Sequence, residues 1–276
     1  MKKILALLLV VCALFGLVSC GEKEYSLGIG VAVSGDAEVL SASETVAAVV
    51  LDGDGKIVAC RVDTIEVALG GATEFKSKAE LGNDYGMSEI GKDEWYKQAQ
   101  AFEKYVVGKT VNEVSAIDGA NKGGLIAGCT ITVYDFVKAV AAACKDNYKV
   151  SFETKGDITL GVSTVAAVNE QEITVDFGAV AMVDGKAVAA TLDCAAAAFA
   201  DGAFAFDGTK RALGNDYGMS ATGKVEWYAQ AQAFADLAVG KNATEIAAIG
   251  LKDAASCTIY AGSMKQALDK AAKAVR

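Results

Sequence analysis

The stretch Leu81–Ile117 reads LGNDYGMSEIGKDEWYKQAQAFEKYVVGKTVNEVSAI, and Leu213–Ile249 reads LGNDYGMSATGKVEWYAQAQAFADLAVGKNATEIAAI. The two copies lie 132 positions apart without a gap, and 24 of their 37 residues are identical. The first eight residues are the same in both copies. Agreement over this length indicates an internal duplication, so the chain contains one structural unit twice.

The sequence on either side of the shared stretch predicts an α+β unit. β-Branched runs flank the turn Asp52–Gly55, and a similar hairpin surrounds the turn at residues 184–185. Apolar residues then recur at helical spacing, as at Trp95, Ala99, Phe102 and Val106. We therefore expect two tandem homologous domains, 26–149 and 150–276, each a small antiparallel sheet with packed helices. Each half is expected to bury its own core and to fold alone.

The first residues have the pattern of a targeting segment. Lys2 and Lys3 precede the apolar run Ile4–Val18, which ends in Leu-Val-Ser-Cys. This ending resembles the lipobox of bacterial lipoproteins, which implies a signal peptide at 1–19, acylation of Cys20 and a tether at 20–25. The alternatives are a secretory signal cut nearby or an uncleaved anchor. The resemblance implies an extracytoplasmic protein, anchored to the bacterial membrane by lipid on the cell surface or the periplasmic side.

Charge and composition limit the chemistry that is open to the chain. Without residues 1–19, it has 24 basic against 35 acidic residues, a formal charge of −11. Basic clusters that would displace counterions from nucleic acid are missing from the sequence, so no nucleic-acid partner is expected. The chain has no histidine, which excludes triads and metal sites that use this side chain. We expect no metal.

Five cysteines remain besides Cys12 and Cys20, and no two of them form a C-x-x-C pair. Their neighbours are mostly Ala, Val, Ile and Thr, which favours small buried thiols over reactive ones. A disulfide between two of these cysteines remains an alternative if the compartment is oxidising. The five are Cys60, Cys129, Cys144, Cys194 and Cys257.

Aromatic and acidic residues of the shared stretch are the next candidates for a site. The tryptophans Trp95 and Trp227 are expected in the core, whereas Tyr96 and Tyr228, one step round the helix, are expected at the edge of a pocket. Asp84 and Asp216 lie in glycine-framed loops, which favours a loop-closing or helix-capping role. Glu94 and Glu226 start the long helix, and no second carboxylate is tied to either by spacing. General acid–base catalysis is therefore unsupported, and the chain is not expected to be an enzyme.

Two loops place threonine ahead of a predicted helix. The first contains Thr130 and Thr132, and the second contains Thr258. Helix N-termini favour phosphate, so these loops are candidate phosphate sites. The other interpretation, favoured by spacing alone, is that the threonines cap the helices.

The order of these parts resembles the extracytoplasmic FMN-binding domain of redox-pump subunits and flavinylated surface lipoproteins. The segments that carry the resemblance are residues 54–58, 108–110 and 127–132 in the first copy, and 184–186, 240–241 and 255–258 in the second. In that family a flavin transferase attaches FMN through its phosphate to the threonine of a Ser-Gly-Ala-Thr motif. Here the serine is replaced by alanine and the alanine by cysteine in both copies, and the second copy has Ser256 where the first has Gly128. The LGNDYGMS stretch is similar instead to uncharacterised duplicated lipoproteins of gut anaerobes.

Two functions follow as hypotheses. The first is a flavin-based electron carrier, which requires a flavin transferase and redox partners, with Thr130, Thr258, Gly128, Tyr96 and Tyr228 as candidate FMN-binding residues. Thr130 is the preferred acceptor, because Gly128 lets a phosphate approach the backbone and Ser256 adds a side chain at that point. The alternative is a non-catalytic surface lipoprotein, a ligand-binding or structural module that has lost the flavin.

Cys20 is the residue on which membrane anchoring is expected to depend. A clickable fatty acid supplied to cells should label the wild-type protein and should not label Cys20→Ala. Equal labelling of the two proteins would contradict lipidation at this residue.

Overall fold

The computed structural model describes residues 22–70, 74–121, 124–253, 257–259 and 261–276. The segment before residue 22, with the expected signal peptide and Cys20, lies outside the described residues, as do residues 254–256. The first repeat consists of β1 (Lys23–Asp36), β2 (Ser41–Asp52), β3 (Ile57–Ala68), α1 (Lys78–Leu81), α2 (Trp95–Val106), α3 (Val111–Ser115) and α4 (Tyr134–Lys145). Two short 3₁₀ turns, Gly82–Tyr85 and Met87–Ile90, lie between α1 and α2.

In the described part of the chain, the second repeat has the same order of α-helices, preceded by five strands where the first repeat has three. It consists of β4 (Val150–Thr154), β5 (Thr159–Val168), β6 (Glu172–Val183), β7 (Lys186–Ala200), β8 (Ala203–Ala205), α5 (Lys210–Leu213), α6 (Trp227–Ala235), α7 (Ala243–Ala247) and α8 (Gly262–Lys273). Its 3₁₀ turns are Gly214–Tyr217, Met219–Thr222, Asp236–Ala238 and Leu251–Asp253.

Two antiparallel sheets of four strands form the centre of the molecule. The first has the strand order β3-β2-β1-β4 and the second has the order β5-β6-β7-β8. The α+β class, with an antiparallel sheet and packed helices in each repeat, is therefore confirmed.

The chain changes sheets later than the predicted boundary at 149/150. β4 pairs with the start of β1, so Val150–Thr154 complete the first sheet, and the second sheet begins with Thr159. The same pairing corrects the expected tether at 20–25. Lys23 and Tyr25 lie opposite Thr154 and Phe152 in the ladder, because an unpaired strand edge is stabilised by another strand.

Glycine allows the last helix of each repeat to pack directly on a strand backbone. A Cβ atom on Gly28 or Gly30 would lie 2.2 or 2.3 Å from backbone atoms of Ala143 in α4. A Cβ atom on Gly161 of β5 would lie 2.0 Å from the carbonyl oxygen of Ala271 in α8. Since no side chain fits at these points, the helices approach the sheets closely.

Both faces of each sheet are buried. In β2, Ala47, Val49 and Leu51 pack against the helices of the first repeat. The alternate residues of this strand pack against the second sheet, in one cluster that also contains Phe177 and Phe199. The helices of the second repeat cover the outer face of the second sheet. The layers are thus helix, sheet, sheet, helix, with the middle core shared by the two repeats.

This shared core argues against the expectation that each half folds alone. Separated, each half would expose the apolar inner face that the other repeat covers, which favours aggregation. We expect fragments 22–154 and 155–276 to be insoluble or to melt without cooperativity, and the intact chain to melt in one transition. Circular dichroism and size-exclusion chromatography would measure this, and a soluble, monomeric half with a sharp melt would contradict it.

Glu44 is an ionisable residue within the shared core. It lies on the same face of β2 as Ala42 and Val46, and 1 % of its surface is exposed. Neither of its carboxyl oxygens has a hydrogen-bond partner among the described residues. Burial raises the pKa of Glu44, the charges of Asp176 and Asp193 act in the same direction, and together these effects bring it to about 8. The side chain is therefore protonated in the folded protein at neutral pH.

Glu44→Gln is expected to stabilise the protein in a pH-dependent way. Between pH 4.5, where the unfolded carboxyl ionises, and pH 8, the native state keeps a proton that the unfolded chain has lost, so stability falls as pH rises. The glutamine side chain does not ionise, so the variant does not lose this part of the free energy of unfolding, which amounts to roughly 5 kcal/mol over the whole pH interval. Thermal melts at pH 5 and pH 9 should show a gain at pH 9 only. Glu153→Gln, an exposed carboxyl on β4, is the control, and equal gains at both pH values would contradict the account.

Candidate functional site

The first turn of α2 organises the loops around it, and the first turn of α6 does the same in the second repeat. The carboxylate of Glu94, just before α2, accepts hydrogen bonds from the backbone N–H groups of Met87 and Ser88 at 3.2 and 3.0 Å. Glu226 accepts from Met219 and Ser220 at 3.1 and 2.8 Å. Hydrogen bonds from Ser88 lower the pKa of Glu94, so it stays ionised and satisfies the N–H groups of the 3₁₀ turn.

The tryptophans are core residues, as predicted. Trp95 and Trp227 each have 4 % of their surface exposed. The Trp95 ring meets the ring of Phe136 in α4 edge-on, with centroids 5.5 Å apart, and Trp227 belongs to the core beneath α6. Neither presents a face on which a flavin stacks.

Tyr96 and Tyr228 point back towards the LGNDYGMS loops. The hydroxyl of Tyr96 donates to Oδ1 of Asn83 at 3.2 Å, and the hydroxyl of Tyr228 donates to Oδ1 of Asn215 at 3.4 Å. The Tyr228 ring also lies against that of Tyr148, with centroids 4.2 Å apart. The carboxylates in the same loops, Asp84 and Asp216, are exposed.

A buried glutamine holds each threonine loop. The Oε1 atom of Gln98 accepts from the backbone N–H of Thr130 at 2.7 Å, from its hydroxyl at 3.0 Å and from the N–H of Ile131 at 3.2 Å. In the second repeat, Oε1 of Gln230 accepts from the N–H and the hydroxyl of Thr258 at 2.6 and 3.2 Å. Both glutamines lie in the motif Q-A-Q, which is identical in the two copies. That identity is the feature of the sequence that could have indicated their role.

The threonines therefore do not cap the helices that follow, and this interpretation was wrong. The residues that precede α4 and α8 are Val133 and Ala261, and neither makes a side-chain capping hydrogen bond. Thr130 lies four residues before the first residue of α4, where Gln98 binds it. An asparagine without a signal in the sequence completes this support: Asn121 donates to the carbonyl oxygens of Cys129 and Ile131 at 2.7 and 3.2 Å.

Gly128 is required by its backbone angle. Its φ is +81°, a value that L residues rarely adopt, whereas an added Cβ would meet Ala101 at an ordinary 3.5 Å. The neighbouring Cys129 is buried, and burial raises the pKa of its thiol. All five cysteines are free, with Cys257 half-buried and the other four buried. Ser256, which takes the place of Gly128 in the second copy, lies outside the described residues.

A polar hollow of about 350 Å³ lies beside the first threonine loop. Residues of the duplicated stretch line part of it, and Lys78 reaches Glu66 at 2.6 Å and lies over the ring of Tyr85 at 5.0 Å. Thr132 lines this hollow, whereas Thr130, Gly128 and Tyr96 do not. The predicted FMN-binding residues are therefore not gathered around it.

The residues fit covalent attachment of FMN poorly. A phosphoester at Thr130 would remove the hydroxyl proton that this residue donates to Gln98, and the same holds for Thr258 and Gln230. The esterified oxygen would carry no proton, so it would lie against the glutamine oxygen as a second acceptor and the two oxygens would repel each other. The geometry suits an anchored loop better than an acceptor for flavin.

Two cavities lie where the repeats meet, at equivalent places. The smaller, about 230 Å³, contains Arg211 of α5, and its lining includes Asp193, Tyr148 and the last residue of α4, Lys145. The larger, about 420 Å³, has Asp63 in place of Asp193 and Lys273, the last residue of α8, in place of Lys145. At the position of Arg211 in the aligned repeats, the larger cavity has Ala79.

Arg211 lines the smaller cavity and links the repeats. Its Nε atom donates to Asp146 at 3.2 Å, one nitrogen donates to Gln232 at 3.2 Å, and another donates to the carbonyl oxygen of Tyr148. Only 1 % of Arg211 is exposed. Since Asp146 and Tyr148 follow α4 of the first repeat, this buried ion pair crosses the boundary between the repeats.

Arg276 makes the equivalent link at the larger cavity. It lies 3.1 Å from both carboxylate oxygens of Glu103 in α2, and Arg61 lies 3.3 Å from the same carboxylate. Glu103 is buried and also accepts from the N–H of Val62 at 3.0 Å. Two guanidinium groups thus share one carboxylate. Neither of the two cavities between the repeats was predicted from the sequence.

Searches of the chain against protein-family models, curated proteins and solved structures find no match. Among the residues that the structure describes, no helix is long and apolar enough to cross a membrane. Within the same residues, no group of three or more Cys, Asp or Glu side chains could hold a metal ion.

Gln98→Ala is expected to destabilise the first threonine loop. The change leaves the N–H groups of Thr130 and Ile131 without their acceptor and should cost about 1–3 kcal/mol of unfolding free energy. Chemical denaturation measures this. Gln100→Ala, two residues along the same helix and half-buried, is the matched control and should cost less. Equal losses in the two variants would contradict the role of Gln98.

Proposed function

We propose that this protein is a lipid-anchored extracytoplasmic binding protein, without catalytic activity, whose ligand occupies the larger cavity between the repeats. The observation that carries the proposal is the contrast between the two cavities. One has Arg211 in its wall and a volume of about 230 Å³, and the other has Ala79 at the equivalent place and a volume of about 420 Å³. This volume is in the range of small-molecule sites.

The position of the cavity supports a binding role. Sites for small molecules often lie where two domains meet, because both can contribute side chains. Here Arg61 and Ala79 come from the first repeat, and Lys270, Lys273 and Arg276 come from the second. Anchoring through Cys20 would hold this cavity outside the membrane.

Native mass spectrometry of the full chain tests the proposal. The protein is released from membranes with mild detergent, and a bound small molecule is expected in the native spectrum and not in the denatured one. Ala79→Arg places an arginine where the smaller cavity has Arg211, which should narrow the larger cavity and remove the molecule. A ligand that persists in Ala79→Arg would place the site elsewhere, and a wild-type protein that never carries one would contradict a binding function.

A flavin carrier is the second candidate, because Thr130 is exposed and follows a glycine with left-handed φ, features that give a flavin transferase access. The poor fit of Gln98 to an esterified threonine makes us expect no attachment. Co-expression with a flavin transferase should give no fluorescent band on a denaturing gel and no added mass. A fluorescent band that Thr130→Val abolishes would favour the electron carrier instead.

A further inference from the structure

The chain leaves little length between the expected lipid anchor and the folded protein. Cys20 lies three positions before Lys23, the first residue of β1. An extended chain spans at most about 3.6 Å per residue, so the Cα atoms of these two residues are no more than about 11 Å apart. This inference rests on the lipid anchor of the proposed function, and it concerns the surface that so short a connection brings to the membrane.

The start of β1 lies beside the hairpin turn of the first repeat. In the ladder of the first sheet, Tyr25 lies opposite Asp52, where this turn begins. The loop after α2 is bound at the start of β3, just past the turn. There the N–H of Gly108 donates to the carbonyl oxygen of Ile57 at 2.7 Å, and the N–H of Ile57 donates to that of Lys109 at 2.9 Å. Turn and loop therefore lie at the same end of the molecule as the N-terminus of β1.

The corresponding turn of the second repeat lies at this end as well. Lys23 lies opposite Thr154 in the first sheet. Two residues later, a Cβ atom on Gly156 would overlap the side chain of Val183, the residue before the second hairpin turn. The anchor end, as we call it, consists of residues 23–25, 52–57, 107–109, 154–156, 183–187 and 239–241.

Each repeat presents an exposed valine at the anchor end. Val107 and Val239 occupy equivalent positions after α2 and α6 and are 47 % and 46 % exposed. The second loop is held as the first is, because the N–H of Gly240 donates to the carbonyl oxygen of Ala187 at 2.8 Å. An apolar side chain gains free energy when it leaves water, and the boundary between lipid headgroups and acyl chains offers such an environment.

The opposite end of the molecule is out of reach of the anchor. β2 has 12 residues and runs from Ser41 to Asp52, so its ends are about 37 Å apart at the rise of an antiparallel strand. The turn that precedes Ser41 carries Val39, which is 63 % exposed. Val39 is therefore an exposed valine of the same kind, at the end of the molecule that the anchor does not bring to the membrane.

Charge does not account for a contact between the anchor end and lipid. Lysines and acidic residues are mixed there, as in the turns that contain Asp54 and Lys56 in one repeat and Asp184 and Lys186 in the other. The formal charge of the whole chain is −9, so anionic headgroups would not attract it. The covalent lipid supplies the attachment, and its short connection selects the surface.

We propose that the anchor end lies directly against the lipid bilayer, with Val107 and Val239 at the boundary between headgroups and acyl chains. The strands of both sheets then stand on the membrane, and the turn at Val39 points away from it. Arg61, in the wall of the larger cavity, lies four residues along β3 from Ile57, which places the proposed ligand site about 14 Å from the membrane surface.

Amine footprinting of the lipoprotein on phosphatidylcholine vesicles tests this orientation. Lys56 and Lys186, exposed at the anchor end, should be labelled several-fold less than in lipid-free Cys20→Ala without residues 1–19 in solution. Lys92 and Lys224, exposed at equivalent positions before α2 and α6, lie beyond the other ends of these helices and should be labelled equally in both samples. Peptide mass spectrometry measures each lysine. Protection of all four lysines, or of none, would overturn the proposal.

Tryptophan variants test the contact of the valines with lipid. Val107→Trp and Val239→Trp alter exposed positions, so thermal melts should match wild type. Vesicles with brominated acyl chains should reduce the added emission of both variants, because bromine quenches tryptophan only at close contact. Val39→Trp is the matched control and should keep its emission, and Trp95 and Trp227 provide the same background throughout. Quenching of Val39→Trp, or of neither other variant, would contradict the contact.

Failure of the anchor and failure of the orientation give different results. If wild type carries no fatty acid at Cys20 and does not float with vesicles, the anchor is wrong and this inference falls with it. If the lipoprotein floats with vesicles but its lysines are labelled as in solution, the anchor stands and only the orientation is wrong. Detection of a ligand by native mass spectrometry depends on neither result.

Discussion

The apolar inner face of each sheet is buried against the inner face of the other sheet. Residues such as Val46 and Val50 of β2 and Val175 and Phe177 of β6 belong to one cluster, and burial of this kind is the main favourable contribution to folding. Because both outer faces are already covered by helices, the repeats have to stack in this way. The cavities between the repeats, and the arginine links beside them, follow from that stacking.

Within each repeat, the first turn of the long helix performs four tasks with four side chains. In the first repeat, Glu94 holds one 3₁₀ turn, Trp95 enters the core, Tyr96 binds Asn83, and Gln98 holds the threonine loop. The same four residue types recur in α6. These contacts account for the identity of the two copies at these four positions, since a change of any one would release a loop or open the core.

The repeats differ where they meet, and there the duplication has diverged in charge. In the alignment of the two repeats, Arg211 corresponds to Ala79, and Glu103 corresponds to Ala235. The two links therefore use different positions of the repeat. Arg211, in α5, pairs with Asp146, whereas Arg276, after α8, pairs with Glu103. The divergence narrows one cavity and leaves the other wider, which is the basis of the proposed function.

The sequence predicted the elements of the fold better than their arrangement. The turns at 52–55 and 184–185 and the helical spacing of Trp95 and Phe102 have local causes, so hairpins and helices were found. Burial of the inner face of β2 depends on a second sheet more than 100 residues away, and the apolar run Val46–Leu51 reads the same whichever partner covers a face. A helix cap was the interpretation that spacing alone favoured for Thr130, because spacing reveals neighbours in sequence, whereas its actual partner, Gln98, lies 32 residues earlier.

Native-state hydrogen exchange on the full chain tests the shared core most directly. Amides of β2 and of β6, the central strands of the two sheets, should exchange only through global unfolding, with the same free energy and the same dependence on denaturant. Two separate free energies, with one sheet exchanging while the other stays protected, would mean that the repeats unfold independently and that the middle layer is not a common core.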